Sequence, residues 1–449
     1  MKFAVLSDLH YVSPEMITDK TNTEAILRTA VVSHALDMAT KEADIILITG
    51  DLTNDGDIVS HNGLIEILRK YKKAGKKIYV LTATHDFHHH RAYVKKTDGV
   101  HVAERPWDMP YFDIDKHENL PDLVKAATPT KLWELYKEFG RDDAVEVCDE
   151  GYSYYIEIGG CGILMLNDCF RNMEAMHEQS PTFSPETFDF IAKMIKKCES
   201  ENKPIFACTH HPFVPPAPAY RLGTNERNMR SEYTGKILAK MGLKLIFTGH
   251  THFASIKTVE SDCGSIMYDV NTPSVNHYPP RFRVVDFDVD SRVMNLRSVE
   301  VDTPDGFTVP EGSLHAHYRK GFYEEYKAKI ENLPTPLNKL TTLNVKSLLP
   351  LCKKRANLSK EEIKSIENIN VFDLLFSVAM NMLTGDGKYT PETAEYKFLS
   401  AFAENIDKVI GSIPYDIKNK KLKGYSISEI VLPMLYNAGV PDNNAVLNL

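Results

Sequence analysis

Five short apolar runs, each ending in a residue that can hold a metal, constrain this chain more than any other feature. FAVLSDLH ends in Asp8 and His10, and DIILITGDL ends in Asp51. KIYVLTATHD closes on Thr84, His85 and Asp86, PIFACTHHP on His210 and His211, and LKLIFTGHTH on His250 and His252. Each run is rich in Val, Ile, Leu and Phe and short enough to be a buried strand. Helical segments separate several of them, so the pattern predicts a largely parallel, covered sheet. Ligands of such sheets gather outside the carboxyl ends of the strands. Aspartates and histidines far apart in sequence are therefore expected to converge, as a dinuclear metal site for phosphoryl chemistry.

The chain has 449 residues, too many for one ordinary core, and two domains are expected. Its net charge of -8 argues against general nucleic-acid binding, in which Lys and Arg neutralise phosphates. No apolar run approaches the roughly 20 residues of a membrane span. The opening MKFAVLSDLH does not read as a secretory signal, because cleavage would remove two candidate ligands. Seven scattered cysteines without a CxxC pair fit a reduced, cytoplasmic setting. Cys208, two residues before His210, reads as a packed core cysteine.

From Lys2 to about Val301, strand and helix patterns alternate. TNTEAILRTAVVSHALDMATK and HNGLIEILRKYKKAG are helical, the second stopping at Gly75. SPETFDFIAKMIKKCESEN is a helix with Ser184 as N-cap and Pro185 in the first turn. GYSYYIEIGGCGILMLND reads as a hairpin turning at Gly159 and Gly160. The irregular stretch from Phe87 to Asp149 reads as an insertion over the strand ends, with one helix around KLWELYKEFG. After His252, SIKTVE, SIMYDVN, RFRVVDFDVD and VMNLRSVEV predict an antiparallel meander in a second sheet packed on the first. From about Pro304 strand signals vanish, and the remainder predicts an all-helical C-terminal domain. The fold class expected is thus α/β, with two packed mixed sheets flanked by helices. The domains expected are residues 1–303 and 304–449.

Within an extended strand, Asp8 and His10 would point the same way. Gly50 permits a sharp exit that leaves the Asp51 carboxylate at the sheet edge, where its two oxygens could bridge two metals. Gly249-His250-Thr251-His252 is the most specific single motif, two imidazoles flanking one position directly after a buried strand.

Together, in this order, DLH, GDLTNDG, THD, the His210 element and GHTH resemble the calcineurin-like metallophosphoesterase family over about the first three hundred residues. Within it the chain looks most like the bacterial branch of class III cyclic nucleotide phosphodiesterases, on GDLT, GHTH and the following NTPSVNHYPPRFRVVDF. The resemblance implies that Asp8, His10 and His252 hold one metal, that Asp51 bridges, and that His210 and His250 hold the second. It implies that His85 lies beside the leaving group as donor or general acid, oriented by Asn54, while a metal-activated hydroxide attacks phosphorus. Mixed His and Asp ligands suit Mn, Fe or Zn.

Two departures stand out. Thr84 replaces the Asn that the family uses as a ligand of the second metal, and Ala83 stands where Gly is usual. Family phosphomonoesterases often read Gly-Asp-x-x-Asp-Arg-Gly, whereas here Asn54 and Asp55 replace the Asp and the Arg. A negative charge there disfavours a dianionic monoester more than a monoanionic diester. The expected activity is therefore a phosphodiesterase acting on a small phosphate ester, with no nucleic acid and no membrane. A phosphomonoesterase, or a degenerate member that binds a phosphorylated ligand or partner, is the alternative; a nuclease ranks below both. His88, His89 and His90 read as a solvated loop, His211 as a supporting or surface residue, and His315 and His317 as structural. Asn167 and Asp168 are candidates to support the site, and Arg171 to reach a phosphate. The short link from Asp302 to Gly306 leaves the tail little reach, so it is expected to dock on the catalytic domain and shape or dimerise the site.

Overall fold

The computed structural model describes residues 1–449 except 18–20, 88–93, 98–99, 104–126, 128, 170–180, 217–226, 333–334, 336 and 411–425. His88, His89, His90 and Arg171, with much of the insertion, lie outside the described residues. Two mixed sheets pack face to face. The first runs in the order β15 (Asn444–Asn448), β14 (Val293–Glu300), β13 (Arg281–Asp288), β1 (Lys2–Leu6), β2 (Ile45–Ile48) and β3 (Lys77–Val80). The second runs β11 (Ser255–Glu260), β12 (Ile266–Asn271), β10 (Leu245–Thr248), β9 (Ile205–Cys208), β8 (Cys161–Met165), β7 (Ser153–Ile158) and β6 (Glu146–Cys148). A separate hairpin joins β4 (Val94–Thr97) and β5 (Val100–Ala103).

Strand alternation builds the layers. On β1, Phe3 and Val5 face the second sheet, whereas Ala4 and Leu6 face the helices Thr23–Glu42 and Ile58–Lys73. Ile45 and Leu47 repeat the split on β2, opposite Ile46 and Ile48. Between the sheets, the rings of Phe3 and Phe206 stack at 5.3 Å and Phe247 meets Phe3 edge-on at 5.8 Å. The outer face of the second sheet is covered by Pro185–Ser200, through Ile191, Met194 and Ile195, and by Leu238 and Ala239 of Arg227–Met241. Ser184 caps its helix as the sequence predicts, accepting from Thr187 N–H.

The expected meander is divided between the sheets. β11 and β12 pair in the second, while β13 crosses over and pairs antiparallel with β1 of the first. Residues 272–280 make the crossing, and Arg283 pins it from a fully buried position. Its guanidinium donates to Asn271 O at 2.7 Å and to Asp442 O at 3.0 Å.

The C-terminal region is helical, with a core of its own that includes Val345, Leu374, Val378, Phe398 and Leu435. Helix Val371–Thr384 is buried on two faces. Leu374 and Val378 face that core, while Phe372, Phe376 and Met380 join the catalytic core beside Tyr318 of helix Leu314–Glu331. The chain then adds a strand that the sequence pattern does not show. β15 pairs antiparallel with β14 at the edge of the first sheet, burying only Leu447. One buried residue in five leaves too faint an alternation to read. Among the described residues, no helix is long and apolar enough to cross a membrane.

Candidate metal centre

The five ligand-bearing runs end as β1, β2, β3, β9 and β10, and the two sheets present these ends side by side. The backbone there is not simply extended. Asp8, His10, Asp51, His250 and His252 have φ of 52°, 44°, 49°, 69° and 62°. Among the described residues, nine non-glycine residues have positive φ, so five of these nine are expected ligands. Such conformations cost of order 1–3 kcal/mol each and persist only where the surroundings over-determine them. Here hydrogen bonds do so. Asp8 N–H donates to Gly50 O at 3.1 Å, His10 N–H to Asp51 O at 3.0 Å, and His250 N–H to Asp8 Oδ2 at 2.9 Å. Gly249 is required by closeness: a Cβ there would lie 1.8 Å from Ser7 Oγ and 2.6 Å from Asp8 Oδ2. Asp8 and His10 thus converge through left-handed kinks, not through strand alternation.

The first cluster is Asp8, His10 and His252. His252 Nε2 lies 3.3 Å from Asp8 Oδ1 and 3.3 Å from His10 Nε2, and His10 Nε2 lies 3.7 Å from the same oxygen. Ligands on one ion with bonds of about 2.1 Å sit about 3.4 Å apart in tetrahedral geometry. Asp8 Oδ1 is buried with no hydrogen-bond partner despite these neighbours. An orphaned, buried carboxylate oxygen facing two imidazole nitrogens fits a cation.

The second cluster is Asp51, His210 and His250, with Thr84 beside it. His210 Nδ1 donates to Thr49 O at 2.9 Å, which leaves Nε2 as the lone-pair nitrogen. That nitrogen is 3.1 Å from Asp51 Oδ2 yet buried without a hydrogen bond, a second orphan. The His210 and His250 rings lie 5.3 Å apart. Asp51 groups with His10 and His85 on one side and with Asp8 and His210 on the other, so its carboxylate stands between the clusters. Thr84 Oγ1 points at Asp51 Oδ1, 3.4 Å away.

Charge distribution agrees with these geometries. Burial opposes the ionised form of Asp8 and Asp51, yet the surrounding histidines hold both carboxyls well below the usual range. Burial pushes His10 down to about 4 and His250 well below its usual value, so both are neutral, as ligands must be. His210 goes the other way. Burial opposes its charge, but Asp51 and Asp8 raise it to about 10. The paired carboxylates demand a positive charge between them, which a proton on His210 or a cation can supply.

His85 stands at the edge. Its backbone N–H donates to Asp51 Oδ1 at 2.9 Å, and its ring meets that of His10 at 4.7 Å. Its Nδ1 lies 2.8 Å from the backbone carbonyl of Asn54. The Asn54 amide side chain is therefore not the orienting group that the sequence pattern implies. Asn54 N–H donates to Tyr11 O at 3.1 Å, which ties the loop to the segment after β1. Asp86 fastens the loop from below, accepting from Leu52, Thr53 and Ala83 N–H.

Several residues escaped sequence reading. His277, on the crossing between β12 and β13, joins His10 and His252 in one group. His211, read from the sequence as a supporting or surface residue, is buried; its Nδ1 and backbone N–H bond Asp168, and its ring lies 4.2 Å from that of His250. Asn271 holds the GHTH loop through Gly249 O and Thr251 Oγ1. Asn167 bonds Thr82 O at 3.1 Å, a supporting place as anticipated, and Cys208 is core.

A two-sheet α/β sandwich with imidazole and carboxylate clusters at its strand ends has the architecture of a metal-dependent phosphoester hydrolase. Residues 1–254 match the calcineurin-like phosphoesterase family model, and the chain belongs to that family. Among solved structures it resembles a purple acid phosphatase from yellow lupin (Lupinus luteus) seeds, with 12% identity and a TM-score of 0.40 over 69% of this chain and 52% of that one. This chain thus spans about half the length of the plant protein. A protein described as a 5′-nucleotidase, from Staphylococcus aureus, is 13% identical with a TM-score of 0.36, over 84% of this chain and 71% of that one. No curated protein matches the sequence.

Proposed function

We propose that this chain is a dinuclear-metal phosphodiesterase for small diesters, akin to the bacterial class III cyclic nucleotide branch. The observation that carries the phosphoesterase reading is the pair of orphaned ligand atoms, Asp8 Oδ1 beside His10 and His252, and His210 Nε2 beside Asp51 Oδ2. In this reading Asp8, His10 and His252 hold one ion, His210 and His250 hold the other, Asp51 bridges, and Thr84 borders the second. Bound there, two Mn, Fe or Zn ions would supply Lewis-acid activation of water and of the phosphoryl oxygens. His85 handles the leaving group. With its Nδ1 proton held by Asn54 O, its Nε2 is the free nitrogen, and in the imidazolium form it gives its proton to the departing oxygen and returns to the neutral ring. Asp51, through His85 N–H, fixes that ring relative to the ligands.

The diester preference is supported by Asp55, where family monoesterases carry Arg. Residues 1–303, with β15 added at the edge of their first sheet, form the catalytic domain in this proposal, and the helices of 304–449 brace it and offer a surface for self-association. Its scattered free thiols accord with a reduced, cytoplasmic setting.

Side-by-side turnover of bis(p-nitrophenyl) phosphate and p-nitrophenyl phosphate, with Mn added, tests the reading. Faster diester hydrolysis is expected. Faster monoester hydrolysis makes the chain a phosphomonoesterase, and bound metal without turnover of either makes it a binding relic.

A further inference from the structure

The crossing segment between β12 and β13 is fastened to the end of β1. Ser274 Oγ donates to Asp8 O at 2.7 Å, Asn276 Nδ2 to Leu9 O at 3.2 Å, and Ser7 bridges to Ser274 through the backbone. These bonds carry His277 to the first cluster. Its ring lies 4.6 Å from that of His252 and 5.1 Å from that of His10, and one nitrogen of each lies within 4.8 Å of the others. The tautomer follows from Ser274. That hydroxyl spends its only proton on Asp8 O, so toward His277 Nδ1, 3.2 Å away, it can only accept. The proton therefore sits on Nδ1 and the lone pair on Nε2. A histidine whose other nitrogen is tied to a neighbouring oxygen is the usual form of a metal-binding imidazole.

We propose that His277 is a further protein ligand, the fifth, of the ion held by Asp8, His10, His252 and the bridging Asp51. This rests on the metal reading given above. Ligand nitrogens on one five- or six-coordinate ion are about 3.0–4.2 Å apart at bond lengths near 2.1 Å, so the group closes with small side-chain rotations. Because Ser274 hangs on the Asp8 carbonyl, the ligand and the strand end it serves move together.

Cobalt uptake by the full metal-stripped chain tests this, read by equilibrium titration and by the visible absorption of the bound ion. The parent should take up two Co ions. His277→Ala and His277→Gln should each bind one of them at least about tenfold more weakly, with a shifted visible band, and Ser274→Ala should fall between. If circular dichroism shows the Ala variant unfolded, the Gln variant decides. Parent-like affinities and spectrum in the folded variants overturn the ligand role while leaving the metal reading intact. A parent that takes up no cobalt overturns both.

Discussion

The two clusters at the strand ends are built from the same residue types but are not equally furnished. Around Asp8 stand three imidazoles, those of His10, His252 and His277, and a backbone kinked at both Asp8 and His10. Around Asp51 stand His210 and His250, with His211 beside them and His85 at the edge, but the position where the resemblance puts an Asn ligand holds Thr84, whose hydroxyl faces the carboxylate at 3.4 Å. A hydroxyl is shorter than an amide carbonyl and a poorer neutral donor. The difference teaches what to expect of the two proposed ions: the Asp8 site should hold its ion tightly and the Asp51 site loosely.

The largest expected effect separates binding from chemistry. His85 touches both clusters through Asp51 and His10, and the proposed function gives it the leaving group. His85→Ala should keep both metals and lose about 10²–10⁴-fold in turnover of an alkyl diester, with a smaller loss for a nitrophenyl ester that needs no proton. Equal losses for both leaving groups would remove the acid role. Next in size, Thr84→Asn should tighten the second site on the order of tenfold, brought out by metal titration of parent and variant. Unchanged affinity would mean that position 84 lies outside the coordination sphere and that the inequality has another source.

The smallest effect concerns the tail. His317 on helix Leu314–Glu331 faces Glu24 of the first helix and Glu311, each at 2.8 Å. Burial opposes its charge, but the two carboxylates raise it above the usual histidine value. A raised histidine stabilises the fold fully below its unfolded value of about 6.5, and loses that effect as pH climbs through the raised folded value. The group is partly exposed, so the contribution is on the order of 1 kcal/mol or less. The difference in thermal midpoint between the parent and His317→Gln should therefore be largest near about pH 6 and shrink toward about pH 9. A pH-independent difference would leave the ion pair without a part in docking. Tyr318, one residue on, donates to Asn276 Oδ1 at 3.1 Å, so the tail reaches the segment that carries His277.

What the sequence made legible follows from which signals are local. The strand ends were readable because each apolar run stops abruptly at Asp or His, and the Ser184 cap because capping involves neighbours. The division of β11–β14 between two sheets was not, since β13 pairs with β1 across the whole catalytic region. β15 buries one side chain and leaves no pattern. His277 follows no strand end; its only sequence mark is a serine three residues earlier, and its meaning lies in the bond from Ser274 to Asp8. Asn54 was found at the right place in the wrong role, because a backbone carbonyl carries no residue signature.

Graded chelation of the fully loaded protein, with metal per chain followed as free chelator rises, tests the central claim most directly. The account predicts two steps, the first ion leaving from the Asp51 side and the second held to much higher chelator. Loss of both ions in a single step with equal affinities would contradict it.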